Sequence, residues 1–343
     1  MKQKNLSVET LRGLAIILVV IGHVIGYDIL GGMKVPEDSS WRHFYFTFSY
    51  IRMPLFTVIS GWVYSLYPIK SGTGFSFMMK KARRILIPMV VVVSIYFISQ
   101  VLLPYTSMNE SIADIWKVYI FPYSLYWYLP SLILVFIIIT ILEELNLLKD
   151  ILSWSIFFLI SIAGLLLRDL FLEGSTNYFS YLGAIYLLPF FLLGLAINRF
   201  KEVFSNRIFL WIMLILLIVG VLLQQLGWYE VFEYDFYMLK KSGPIGLLVG
   251  ITSTILLMRI KWNNKILIYI GGFSYTIYLF HVFGVGLTRV VLQKYIGISN
   301  NYIIFFVCLT AGVVTPIIIE YIFDRYQLSR LLFLGRKLKK QTK

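Results

Sequence analysis

The sequence predicts an all-α fold, a polytopic transmembrane helical bundle of about ten helices. Three observations carry that prediction. Hydrophobic residues make up 59% of the 343 and charged residues only 14%, against roughly 25% charged in a soluble domain. The apolar residues fall in blocks of roughly 17 to 23, enough at about 1.5 Å per residue to cross about 30 Å of hydrocarbon. Lys and Arg collect in the short connections between blocks, so the net charge of +14 reports membrane topology, and nucleic acid is not an expected partner.

The first block runs roughly from 8 to 27 and follows Met1-Lys2-Gln3-Lys4. That start imitates a signal peptide, but Arg12 interrupts the apolar stretch and no small-residue cleavage pattern follows, so the block reads as a retained helix. The others run roughly 44 to 66, 85 to 104, 126 to 142, 151 to 167, 178 to 197, 208 to 226, 243 to 259, 266 to 287 and 302 to 323. With the amino terminus inside, the even-numbered connections fall in the cytoplasm. They carry Lys70, Lys80, Lys81, Arg83 and Arg84, then Arg199, Lys201 and Arg207, then Arg259, Lys261 and Lys265.

The tail adds Arg330, Arg336, Lys337, Lys339 and Lys340, so both ends are expected in the cytoplasm. The fourth connection, with Glu143, Glu144, Lys149 and Asp150, adds nothing to that bias. The outer connections carry mixed charge and interfacial aromatics such as Trp41, Trp116 and Trp228. No internal repeat or soluble appendage is visible, and residues 1–343 read as one transmembrane domain with short basic termini. Pro54, Pro88, Pro189, Pro244 and Pro316 lie within or at the ends of spans, where they bend helices and free backbone carbonyls. Cys308 is the one cysteine, which excludes a disulfide framework or a cysteine metal cluster.

Ionisable residues inside a span are costly and mark candidate sites. Arg12 and His23 are eleven residues apart, close to three helical turns, and so project from one face about 16 Å apart along the axis. Arg12 reads either as an anchor paired with Glu9 one turn earlier or as a site residue. His23 follows Gly22 with no local polar partner, and imidazole suits proton transfer near neutral pH. His281 lies in the ninth span and His43 just outside the second, but no metal-ligand spacing joins the histidines and no metal is expected. Glu320 and Asp324 stand one turn apart near the inner end of the last span, where pairing with Arg325 or a cation of another helix is expected.

The run Lys80-Lys81-Ala82-Arg83-Arg84-Ile85-Leu86-Ile87-Pro88 sits at the inner mouth of the third span. It reads as an anchor on anionic membrane lipids or as a phosphate site for a nucleotide-bearing donor such as coenzyme A. Near the outer end of the second span, Arg52 precedes Met53-Pro54-Leu55-Phe56 and reads as an interfacial anchor or a site residue. Ser60-Gly61-Trp62 is a small-residue helix contact. Tyr126-Trp127-Tyr128-Leu129-Pro130 is either an aromatic belt or a stacking platform for a sugar ring.

Together these segments resemble the integral membrane acyltransferase family called acyltransferase 3, which includes sugar O-acetylases. The resemblance covers most of the chain. It runs from Leu11-Arg12-Gly13-Leu14-Ala15 and Gly22-His23 through Met53-Pro54-Leu55-Phe56, Arg83-Arg84-Ile85-Leu86-Ile87-Pro88, Trp127-Tyr128-Leu129-Pro130 and Phe191-Leu192-Leu193-Gly194 to Ser274-Tyr275-Thr276-Ile277-Tyr278-Leu279-Phe280-His281. Members similar to sugar acetylases often carry histidine just before the Met-Pro-Leu-Phe run, where this chain has Arg52.

The resemblance implies an enzyme of a bacterial cytoplasmic membrane that moves an acyl group, expected to be acetyl, from acyl-coenzyme A to a hydroxyl of a cell-envelope or exported carbohydrate. Under it, His23 and Arg12 are the catalytic candidates. Lys81, Arg83 and Arg84 are expected to bind acetyl-CoA or another acyl-CoA, and Arg52, Trp127 and His281 the acceptor. The competing readings are a glycan or lipid-precursor transporter, weakened by the lack of repeated halves, and a polysaccharide O-succinyltransferase.

Overall fold

The computed structural model describes residues 5–29, 31–102, 111–231 and 237–338. Met1-Lys2-Gln3-Lys4, the last residues of the third predicted span, and Lys339 and Lys340 of the basic tail lie outside them. The helices are α1 Leu6–Ile25, α2 Ser40–Leu66, α3 Gly74–Leu102, α4 Lys117–Ile120, α5 Tyr128–Glu144, α6 Ile151–Phe171, α7 Tyr181–Arg199, α8 Lys201–Ser205, α9 Arg207–Trp228, α10 Pro244–Arg259, α11 Lys265–Gly272, α12 Ser274–Val290, α13 Asn301–Phe323 and α14 Gln327–Leu334. No strand occurs among the described residues. The protein is a polytopic helical membrane protein.

Among the described residues, eight helices are long and apolar enough to cross a bilayer, and α10 is a shorter apolar helix. The 27-residue α2 has the length, but Arg42, His43 and Arg52 make it less apolar. A helix stands at each of the ten expected places, with one difference. The ninth span is broken at Phe273 into α11 and α12. The break follows Gly271 and Gly272, and a side chain on Gly271 would strike the Glu9 carbonyl of α1. Glycine is kept there for close backbone approach, at a cost in helix propensity.

The chain forms two compact units. The first comprises Met1–Pro68, Phe158–Phe171 and Pro189–Pro316. Its α1 packs on α2, α11 and α12, with Val8, Leu11 and Ala15 buried against Leu55 and Ile59. Gly13 faces the Leu267 carbonyl of α11 so closely that a Cβ would collide. Gly61 of α2 meets the Phe191 carbonyl and Gly194 meets the Val58 carbonyl in the same way. The Ser60-Gly61 and Leu193-Gly194 motifs thus form a reciprocal small-residue helix crossing, a common solution where lipid gives helices no hydrophobic drive to associate.

The second unit comprises Ile69–Phe157, Leu172–Leu188 and Ile317–Lys343. Here α3 packs on α5 and α14. The acidic fourth connection has a structural use: the Glu144 carboxylate accepts from the backbone N–H groups of Gly72 and Gly74, each at 2.7 Å. It therefore caps the start of α3, where exposed N–H groups and the helix dipole favour an anion. At the other end, Gly335 adopts φ +61 to stop α14 and lies against the backbone of Arg83 and Arg84. Arg336 then pairs with both Glu320 and Asp324, so these acids find their cation in the tail.

Candidate active site

The site is built from the carboxyl end of α1 in the first unit. His23 lies in the last turn of α1, and Gly26 (φ +91) ends the helix. His23 is partly accessible and makes no hydrogen bond with a described residue. An unengaged, reachable imidazole is what a general base or nucleophile requires.

His281 comes to it from α12, with ring centroids 5.1 Å apart and planes inclined at 44°. Its Nδ1 lies 2.8 Å from the Ile277 carbonyl and 3.0 Å from that of Tyr278. Carbonyls only accept, so Nδ1 carries the proton, and the neutral ring leaves its Nε2 lone pair free. That Nε2 is buried with no hydrogen-bond partner. Two histidine rings, each with a nitrogen free of hydrogen bonds to described residues, thus lie side by side across the α1–α12 contact.

Arg52 of α2 completes the approach. Its guanidinium occupies the space where a side chain at Gly22 would begin, which places a cation directly beside the His23 turn. Arg52 Nη2 donates to the Tyr45 hydroxyl at 2.6 Å, and its Cζ lies 4.4 Å from the centre of the Tyr45 ring. Lys241 reaches the same tyrosine from the turn before α10, with Nζ 5.6 Å from the ring centres of both Tyr45 and Tyr27. His23 stands within electrostatic reach of His281, Arg52 and Lys241.

Several contacts hold the Lys241 turn in place. The Tyr50 hydroxyl donates to the Leu239 carbonyl, the Tyr237 hydroxyl to the Leu166 carbonyl, and the Ser242 hydroxyl to Asp169. Burial pushes the Lys241 ammonium below its ordinary value of 10.5; Tyr45 opposes that shift and the neighbouring Arg52 adds to it. Beside the turn lies a cleft of about 730 Å³. Tyr27, Tyr45, Trp228, Arg168, Lys240 and Lys241 are among its lining residues, a mixture of aromatic faces and polar ends suited to a hydroxylated ligand.

Arg12 sits three turns before His23 and pairs with Glu9 at 3.0 Å, the geometry of an anchor. Lys81, Arg83, Arg84 and Trp127 belong to the second unit. Lys81 Nζ sits 4.0 Å from the centre of the Phe136 ring, Arg84 is exposed, and Arg83 is partly buried with its Nε lacking a hydrogen-bond partner. Trp127 packs near Tyr128 and Tyr186.

Residues 5–321 match the acyltransferase domain family of the acyltransferase 3 type. The chain belongs to that family. It is also 27% identical over 240 residues to the nodulation protein NolL of Mesorhizobium japonicum, a match covering 68% of this chain and 59% of that protein. The chain therefore spans about three fifths of the length of the relative it matches. No solved structure matches it.

In a chain of this family, the His23–His281 pair is a candidate for the proton transfer that acyl transfer to an attacking group requires. Among the described residues no three His, Cys, Asp or Glu side chains converge as metal ligands. His43 stands apart, inside α2, with its ring stacked on Trp228 at 5.2 Å. Sequence reasoning did not single out Tyr45 or Lys241. The available signal was Lys240-Lys241 in an expected outer connection, two cations placed against the prevailing charge bias.

Proposed function

We propose that this membrane acyltransferase moves an acyl group, acetyl in the simplest case, from acyl-coenzyme A to a carbohydrate hydroxyl, with His23 at the reacting centre. The observation that carries the reading is the unengaged His23 imidazole 5.1 Å from the His281 ring in a chain of this family. A carbohydrate acceptor is supported by the aromatic and polar cleft beside Lys241.

In this reading His23 accepts the proton of the acceptor hydroxyl as its oxygen attacks the thioester carbonyl carbon. The carbon–sulfur bond then breaks, and the departing thiolate takes the proton from the imidazolium. The His281 ring lies beside His23, and its Nε2, free of any hydrogen bond, is a second proton acceptor next to the reacting imidazole. Arg83 and Arg84 hold the phosphates of the donor, a use for the unpaired Arg83 Nε that fits guanidinium geometry. Arg12, paired with Glu9, orients α1. In this reading the termini and the donor arginines face the cytoplasm, which the basic connections support, and Arg52 serves the acceptor.

Purified protein given labelled acetyl-CoA and envelope oligosaccharides is expected to acylate the sugar, and His23→Ala to abolish transfer while donor binding persists. Undiminished transfer by His23→Ala would overturn the assignment.

A further inference from the structure

We propose that the acceptor is an anionic carbohydrate, whose carboxylate or phosphate group is held between Arg52 and Lys241. The inference rests on the acyltransferase reading of the same site and names its substrate class.

Arg52 and Lys241 both converge on Tyr45, one through the hydroxyl at 2.6 Å and the other over the ring at 5.6 Å. Neither cation is hydrogen-bonded or ion-paired with a carboxylate of the described residues. Two like charges drawn together around one tyrosine, in a partly buried place, repel each other and have lost part of their hydration. Folded proteins resolve such an arrangement with a counter-anion, and none of the described carboxylates pairs with either cation.

The structure holds both cations where they are despite this repulsion. Gly22 leaves room for the Arg52 guanidinium, and Tyr50, Tyr237 and Ser242 tie down the turn that carries Lys241. A cation that served only as a membrane anchor needs no such fixed seat. The adjoining cleft continues the same polarity. Its lining includes four cationic and two acidic side chains, and one of those acids, Asp169, is already engaged by Arg168 at 2.6 Å and by Ser242.

Geometry also decides which partner the cations serve. Tyr45 and Lys241 line the cleft, while Arg52 lies against the His23 turn. An anionic sugar seated on this pair would place its neighbouring hydroxyls beside His23. A guanidinium and an ammonium from different elements read a carboxylate or phosphate as a specific group, whereas a neutral sugar would leave both without a counter-anion.

The test uses the full chain in detergent with three matched oligosaccharides, one ending in glucuronic acid, one in glucose phosphate and one in glucose. Binding is read by calorimetry and transfer by label from acetyl-CoA. The wild type is expected to bind at least one acidic oligosaccharide about tenfold or more tightly than the neutral one, in line with a charge-assisted contact. Which acidic form wins separates carboxylate from phosphate. Arg52→Gln and Lys241→Gln are each expected to erase the preference by raising KM for the acidic acceptor, with Lys241→Arg retaining it and thermal unfolding confirming that each variant folds.

Equal binding of all three sugars, or a preference that survives both Gln variants, overturns the proposal. So does a loss confined to kcat and equal for every acceptor, which would assign the cations to the reacting carbonyl. Selective binding of an acidic sugar without any transfer would support the anion site and count against the acyltransferase chemistry of this site alone.

Discussion

The Arg52 guanidinium fills the place where a side chain at Gly22 would begin, so the identity of residue 22 is set by a residue of the neighbouring helix. The Gly22-His23 pair is therefore one unit, in which the glycine admits the cation and the histidine faces it. Gly22→Ala is expected to displace Arg52 at an overpacking cost of about 1–3 kcal/mol. Acyl transfer should fall about tenfold or more, whereas Gly22→Ala combined with Arg52→Ala should be more stable in thermal unfolding than Gly22→Ala alone. Equal midpoints for the two would sink this account.

His281 is fully buried and its Nδ1 is committed to two backbone carbonyls, so only Nε2 faces its surroundings unspent. His281→Ala is expected to reduce kcat about 100-fold, within the usual range for a group assisting proton transfer, and to leave KM for acyl-CoA unchanged. Full activity in that variant would show that His23 works without its neighbour.

Much of the fold was legible because membrane physics is severe. A span needs about 20 apolar residues, and every one of the ten expected places holds a helix. The break at Phe273 was not legible, since the apolar pattern runs through it and the cause is a close approach of Gly271 to Glu9 in a distant helix. His23 stood out as an ionisable side chain where lipid should exclude one. Tyr45 looked like an ordinary interfacial aromatic, and Lys241 lies 189 positions from Arg52 in a connection without a motif. Contacts between such distant positions leave no trace in a single sequence. The role of Glu144 was hidden for the same reason: its charge disagreed with topology, and only its contact with Gly72 and Gly74 explains it.

The reciprocal contact of Gly61 with Phe191 and Gly194 with Val58 leaves no space for a Cβ on either side. Gly194→Leu is expected to force α2 away from the Pro189–Arg199 part of α7 at a cost of at least about 1–3 kcal/mol. The protein should unfold at a lower temperature in detergent and show reduced yield. An unchanged midpoint would mean that the crossing adjusts freely.

In the second unit, Glu320 is 6% exposed and draws its charge partner from Arg336 in the tail. Arg336→Ala should destabilise the protein by about 1–3 kcal/mol, since a buried acceptor loses a charge-assisted bond. Adding Glu320→Gln should recover much of the loss in the same thermal assay. If the double variant is no better than the single one, the pair does not matter to stability.

Lys241 makes the acceptor preference depend on pH. Burial lowers its ammonium below 10.5, with Tyr45 opposing and Arg52 reinforcing the shift, so in the pH window beneath 10.5 the folded protein binds fewer protons than the unfolded chain. Stability from this group therefore rises with pH across that window, while the cation needed to hold an anion is lost sooner than from a free lysine. KM for an acidic acceptor should climb as pH approaches 10.5 from below, and KM for the neutral sugar should stay flat. Lys241→Arg keeps its charge throughout, so its profile should not climb. The comparison is made with initial rates at saturating acetyl-CoA; a climb that persists in Lys241→Arg would assign the titration to another group.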